Sequence, residues 1–330
     1  MNVFVFEHLC GGITPGEAST LPASLLGQGA AMLQAAADDF ALFGANVSTM
    51  LHRRALVMPD GWHVTAVDDQ TDVAACFDER VAKADATLVT APETGDVLGM
   101  WLDRIEAIGG VSLGCTAKAA RLCGDKLALA RHLDAANIAT PATRLFTDDV
   151  RGLDFPIVVK PRDGAGCERT LLCRGEQDVA ALERGDQWIV QPFVAGRDVS
   201  ASFMVHGAQV RTLPCGEQRI TGDATMHYRG GRLPLEGDLT RRAVALAEDA
   251  VRSVEGLRGF VGVDMVLGES ARDDRVIEIN PRLTLSYVAL RQACTGNLAA
   301  AMLDPDAALT WRSGWFEMDA DGNVRRESAV

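Results

Sequence analysis

The stretch Val276-Ile-Glu-Ile-Asn-Pro-Arg-Leu-Thr-Leu-Ser-Tyr287 sets the reading of the whole chain. Its apolar, β-branched start predicts a strand. Side chains alternate across a strand, so Ile277 and Ile279 are expected on one face and Glu278 and Asn280 on the other. An acid and an amide side by side on a half-buried face are costly without a partner. A hard cation supplies one, because Mg²⁺ takes oxygen ligands and bridges carboxylates to substrate phosphates. The plainer alternative is a strand end whose polar residues meet water.

Working outward, Asp264 ends an alternating run with Phe260 and Gly262, fourteen residues before Glu278. Two adjacent antiparallel strands at that spacing bring Asp264, Glu278 and Asn280 to one place. Three oxygen donors without Cys or His suit Mg²⁺ better than Zn²⁺. Upstream, Lys160-Pro-Arg-Asp-Gly-Ala-Gly166 puts a lysine at a strand end before a glycine turn. Such turns let backbone N–H groups cradle phosphate oxygens, although a hairpin with a lysine reaching for water reads the same way. No G-x-x-x-x-G-K-[ST] motif occurs, so this is not a P-loop. Gln191-Pro-Phe-Val-Ala-Gly-Arg-Asp198 joins two strand pairs. A connection of this kind holds an adenine through backbone groups and a ribose through an acid, or is simply a linker.

The bulk numbers narrow the class. The 330 residues allow two or three domains. A formal charge of −13 and no long Lys/Arg run argue against nucleic acid or an anionic membrane surface as partner. No apolar run is long enough to span a bilayer. Met1–His8 lacks a basic leader and reads as a first strand, so a cytoplasmic protein is expected. The eight cysteines form no C-x-x-C pair and are expected to be free thiols.

The first ~110 residues alternate strand and helix patterns, which predicts a parallel sheet with helices on both faces. Ligands of such sheets bind beyond the carboxyl ends of the strands. The connection from Glu7 to Pro22 lies at such an end and is long enough to be functional. Cys115–Ala135 is read as one helix carrying Lys126, Leu239–Val254 as another, and Asp198–Val205 as an alternating strand. Glu317–Val330 is expected to fray.

Taken in order, Lys126, Lys160 with its glycine turn, Gln191–Asp198, Asp264 and Glu278-x-Asn280 resemble the ATP-grasp superfamily over about residues 113–300. The resemblance implies an α/β and α+β architecture: a Rossmann-like domain over 1–112, a linker helix and small ATP-grasp subdomain over 113–195, and a large subdomain over 196–330. It implies ATP and Mg²⁺, with Mn²⁺ as a substitute. Lys126 and Lys160 correspond to the phosphate-binding lysines. Gly164, Ala165 and Gly166 correspond to the lid, and Gln191, Phe193 and Val194 to the adenine connector. Asp198 stands where the ribose acid is usually Glu. Asp264, Glu278 and Asn280 correspond to the metal ligands. Gly262 departs from relatives with an Arg two residues before the metal Asp, leaving Arg219 and Arg282 to replace that contact.

Within the superfamily, the Phe4-Val-Phe-Glu-His8 start, Tyr228–Pro234 and Asn280–Tyr287 resemble the tyramine–L-glutamate ligase branch of methanofuran-type cofactor biosynthesis. The implied reaction is ATP-dependent coupling of L-glutamate to an amine such as tyramine or tyrosine through an acylphosphate. Arg282 would face the developing oxyanion, while Glu7, His8, Arg219, Ser286 and Tyr287 would contact substrate. The partners expected are thus small acids and amines, and a homodimer is allowed. Rival readings are another amino-acid or D-Ala–D-Ala-like ligase and a non-catalytic nucleotide-binding module. A dinucleotide oxidoreductase is disfavoured because no G-x-G-x-x-G follows the first strand.

Overall fold

The computed structural model describes residues 1–13 and 23–327, apart from 54, 56, 58, 148–151, 153, 165 and 166. The chain begins with β1 (Asn2–Glu7), β2 (Asn46–His52), β3 (His63–Val67) and β4 (Ala86–Thr90). They form a parallel sheet in the order β3-β2-β1-β4. Strand β1 shows how it is covered. Val3 and Val5 pack with Ala36, Ala37 and Phe40 of helix Ala23–Leu42. Phe4 and Phe6 face the other way, toward Phe77 of helix Val73–Lys83 and Trp101 of helix Val97–Ile108. A period of two thus places a helix layer on each face.

A second sheet joins β5 (Arg144–Phe146), β6 (Ile157–Pro161), β7 (Leu171–Cys173) and β8 (Gly185–Pro192) in the antiparallel order β5-β8-β6-β7. The third and largest sheet contains β9 (Arg197–His206), β10 (Gln209–Thr212), β11 (Gly216–Thr221), β12 (His227–Leu233), β13 (Gly259–Leu267), β14 (Arg275–Asn280), β15 (Trp315–Met318) and β16 (Val324–Glu327). Its order is β14-β13-β9-β11-β12-β15-β16, with β10 on β9.

On β9 and β13 the odd residues, Val199 to Val205 and Val261 to Leu267, bury against helix Gly237–Ser253 and the helices before β5. The even residues line the cleft at one end, as Asp198, Ser200, Asp264 and Val266 do. At the other end Met204 and Phe260 enter the core shared with helix Ala23–Leu42. One strand face therefore serves both as binding surface and as packing surface. Among the described residues no helix is long and apolar enough to cross a membrane.

Three expectations are corrected. The helix read over Cys115–Ala135 is two helices, Ala117–Gly124 and Lys126–Ala135. Asp125 breaks it: its extended backbone and side chain cap the second helix through the N–H groups of Leu127 and Ala128. The region after Glu317 is not frayed up to Glu327, because β15 and β16 form a hairpin on the large sheet. Residues 328–330 lie outside the described residues. Finally, Glu7 closes β1 and caps a single turn, His8–Gly11, rather than opening a loop. Residues 14–22 of that connection lie outside the described residues.

Candidate active site

A cleft of about 370 Å³ lies where the three sheets meet. Its charged floor comes from neighbouring strands of the large sheet. Asp264 on β13 stands directly opposite Glu278 on β14, and Gly262 opposite Asn280. The register slips by one residue just beyond, between Asp264 and Met265. The slip alters the expected alternation. Val276 and Ile279 fill the core, whereas Ile277 joins Glu278 and Asn280 on the cleft wall. A bulge re-aims a side chain in this way.

The floor is tightly wired. Asn280 Nδ2 donates to Asp264 Oδ2 at 2.9 Å, and Gln218 Nε2 donates to Asp264 Oδ1 at 2.9 Å. Burial, then the neighbouring Glu278 charge, push Asp264 up to about 8. Glu278 is also penalised by burial, but Lys126 and Lys160 outweigh it and hold the carboxyl below its usual range. Two facing buried carboxylates disfavour being charged together. A divalent cation answers the same problem. The donor set fits a hard ion: two carboxylates and an amide, without thiolate or imidazole. Among the described residues no three His, Cys, Asp or Glu side chains gather as a metal site; the Asn280 amide stands beside the two carboxylates.

The cations stand on other elements. Lys126 is the first residue of its helix, placed there by the Asp125 break. Its Nζ donates to Gly164 O at 2.5 Å and lies 3.6 Å from Glu278 Oε2. Arg162 grips Asp125 with both guanidinium arms, at 2.9 and 2.5 Å, tying the helix break to the glycine turn. Lys160, at the end of β6, is 6% exposed. Burial lowers its ammonium to about 8 against the raising effect of Glu278. Gly164 lines the cleft; Ala165 and Gly166 lie outside the described residues.

Gln191, Phe193, Val194 and Asp198 all line the far end of the cleft. The Gln191 side chain is turned to Thr143 Oγ1 at 2.7 Å. Burial, then Glu217, push Asp198 up to about 6. Glu217 and Gln218 were invisible as site residues in the sequence, since β11 has no apolar rhythm marking an inner face. Cys167 was also missed. It lines the cleft beyond the glycine turn with φ 61°, and burial raises its thiol to about 12.

The remaining expected contacts divide. Glu7, Arg282 and Ser286 line the end of the cleft away from the connector. Arg282 Nη2 donates to Glu93 Oε2 at 2.8 Å, a buried pair across two sheets. Gly262 has no room for the arginine of other relatives, because a Cβ there would stand 2.8 Å from Thr284 Cγ2. Ser286 Oγ lies 2.7 Å from Thr284 Oγ1 and 3.1 Å from Ser202 Oγ. Three residues stand elsewhere. Tyr287 is fully buried and donates to Asp39 Oδ2 at 2.8 Å, so it builds the wall from behind. His8 turns into the aromatic core, its Nδ1 accepting from Trp101 Nε1 at 3.2 Å. Arg219 borders a separate depression, 3.6 Å from Glu317.

Comparison with known proteins finds two domain matches. An ATP-grasp domain is matched over residues 123–286 and a pre ATP-grasp domain over 45–120. The chain is 28% identical to the tyramine–L-glutamate ligase of Methanocaldococcus jannaschii, over 63% of this chain and 58% of that protein. It is 26% identical to the corresponding ligase of Methanocaldococcus fervens, over 69% of each. The match to the first thus spans less than two thirds of its length. The crystal structure of a putative ATP-grasp superfamily protein from Archaeoglobus fulgidus superposes with a TM-score of 0.77 at 26% identity, covering 96% of this chain and 92% of that one. With the sheets and the lysine–carboxylate floor in place, these matches assign the chain to the ATP-grasp superfamily, where it resembles the carboxylate–amine ligases.

Proposed function

We propose that this chain is an ADP-forming ligase joining a carboxylic acid to an amine, with L-glutamate as the acid and an amine such as tyramine or tyrosine as acceptor. The observation that carries this reading is the continuity of the cleft. Connector, lysines and paired carboxylates occupy one end and middle; Glu7 and Arg282, set among apolar side chains, occupy the other.

In this reading the connector Gln191–Val194 holds the adenine and Asp198 the ribose. Lys126 and Lys160 neutralise the phosphates, so positioning and charge do most of the work. Mg²⁺ held by Asp264, Glu278 and Asn280 would supply charge neutralisation at the phosphate oxygens. The acid's carboxylate oxygen attacks the γ-phosphorus, the bond to the ADP oxygen breaks, and an acylphosphate forms. The amine, once its ammonium has given up a proton to solvent, attacks the acyl carbon with its lone pair; phosphate leaves with the C–O electron pair and takes up the proton that the nitrogen sheds. Arg282, held by Glu93, faces the carbonyl oxygen as negative charge develops there. The glycine turn excludes water from the acylphosphate.

A related ligase with small amino acids on both sides is the second reading. The apolar walls around Glu7 favour a larger acceptor. The test is ADP release with ATP and Mg²⁺ across a matrix of acids and amines, with products identified by mass. Amine-dependent ADP with a glutamyl-amine product supports the reading. ADP release only with two small amino acids supports the second, and none with any pair rejects both.

A further inference from the structure

Glu7 is the feature of the cleft that the phosphate chemistry does not use. It is 2% exposed, yet it lines the cleft. It belongs to the odd face of β1, with Val3 and Val5, and so points at helix Ala23–Leu42 rather than at the aromatic core. Its Oε2 accepts the Cys10 N–H at 2.8 Å. Among the described residues no cation pairs with it. Arg282, whose charge reaches it, is bonded to Glu93 instead.

The helix opposite makes room for this carboxylate. Gly29 faces Glu7, and a Cβ at Gly29 would stand 2.7 Å from Glu7 Oε2. Glycine inside a helix costs about 1 kcal/mol relative to alanine. Gly29 thus leaves the space that the Glu7 carboxylate fills. Leu25, Met32, Leu285, Ala289, Phe316 and Met318 add apolar surface to the cleft, beside Arg282 and Ser286. A buried carboxylate without a counter-ion, facing an apolar cavity, is completed by a ligand carrying a positive charge on an apolar body. Burial, opposed by its bonds to Cys10, pushes Glu7 up to about 7, as expected for an acid awaiting such a partner.

We propose that Glu7, seated against Gly29, is the ammonium-binding residue of the acceptor subsite, and that this subsite selects a primary amine with an apolar body. The inference rests on the ligase reading for the word acceptor, but not for the binding itself.

The test is a binding titration of the intact protein, free of turnover. Tyramine, its neutral alcohol counterpart 2-(4-hydroxyphenyl)ethanol, tyrosine and L-glutamate are titrated into the native chain, Glu7→Gln and Gly29→Ala. An ammonium–carboxylate contact predicts that the native chain binds tyramine about 10- to 100-fold tighter than the alcohol. Glu7→Gln erases the difference, and Gly29→Ala, which crowds the carboxylate without removing it, reduces it. Unchanged ATP affinity in both variants shows that the fold is kept. The proposal is overturned if Glu7→Gln keeps the preference for amine over alcohol, if it loses L-glutamate binding instead, or if the native chain binds none of the amines. Because binding is read without catalysis, tyramine binding with no ligase turnover would reject the reaction assigned above and leave the subsite standing.

Discussion

The two ends of the cleft solve the burial of charge in opposite ways. At the phosphate end, charges of both signs come from four strands and a helix start: Lys126 and Lys160 lean on Glu278, while Asn280 and Gln218 hold Asp264. The network is nearly self-sufficient. At the acceptor end a single carboxylate sits in an apolar hollow, with Arg282 withdrawn to Glu93. In the proposed reading the first arrangement recognises phosphates, which many ligands share, and the second leaves a deficit for a particular ligand to fill. That reading separates the shared chemistry from the selectivity in space.

The sharpest way to break this comparison is at the phosphate end. Glu278→Gln removes one of the paired acids and the partner of Lys126. Turnover is expected to fall by about three orders of magnitude or more, with the melting temperature nearly unchanged. Near-native turnover would remove Glu278 from the machinery. Next, Lys160→Ala deletes a charge-assisted bond to phosphate, and nucleotide affinity should weaken about 10- to 100-fold in a direct titration. An unchanged affinity would mean that Lys160 does not touch the phosphates.

At the acceptor end, Tyr287→Phe separates wall from contact. Loss of the hydroxyl bond to the buried Asp39 should cost about 1–2 kcal/mol in denaturant unfolding, because Arg291 still holds the other oxygen at 2.6 Å. Steady-state KM for the amine should stay as it was; a large rise would make Tyr287 a contact after all.

The smallest effect is a proton. Lys160, lowered from 10.5 to about 8 by burial, is largely neutral above that pH in the free protein. Phosphate favours the charged form, so ATP binding without divalent metal should take up a fraction of a proton between about pH 8 and 10. Calorimetry in buffers of different ionisation enthalpy reads it. Lys160→Arg, charged throughout, should show no uptake, and equal uptake in both proteins would assign the proton elsewhere.

What the sequence disclosed follows the same boundary. The phosphate end lies on strands with strong apolar rhythm, so Asp264, Glu278 and Asn280 stood out as polar residues at regular positions. Lys126 was visible, but not the helix break that aims it, although Gly124-Asp125 carried a capping signal. The β15–β16 hairpin was also signalled, by Asp321-Gly322 with its glycine at φ 89°. Glu217 and Gln218 had no such marker. The bulge that turns Ile277 into the cleft depends on pairing with β13, which periodicity in one strand cannot reveal. The match of Glu7 to Gly29 is a contact between a strand and a helix 22 residues apart, and neither residue announces the other.

The central claim is that the cleft activates a carboxylate by phosphorylation before the amine arrives. Turnover with ¹⁸O-carboxylate-labelled L-glutamate, tyramine, ATP and Mg²⁺, followed by mass analysis of the products, tests it directly. The account predicts one ¹⁸O in each released phosphate, none in ADP, and an amide that retains the remaining label. Label in AMP, or phosphate released without label, would contradict it.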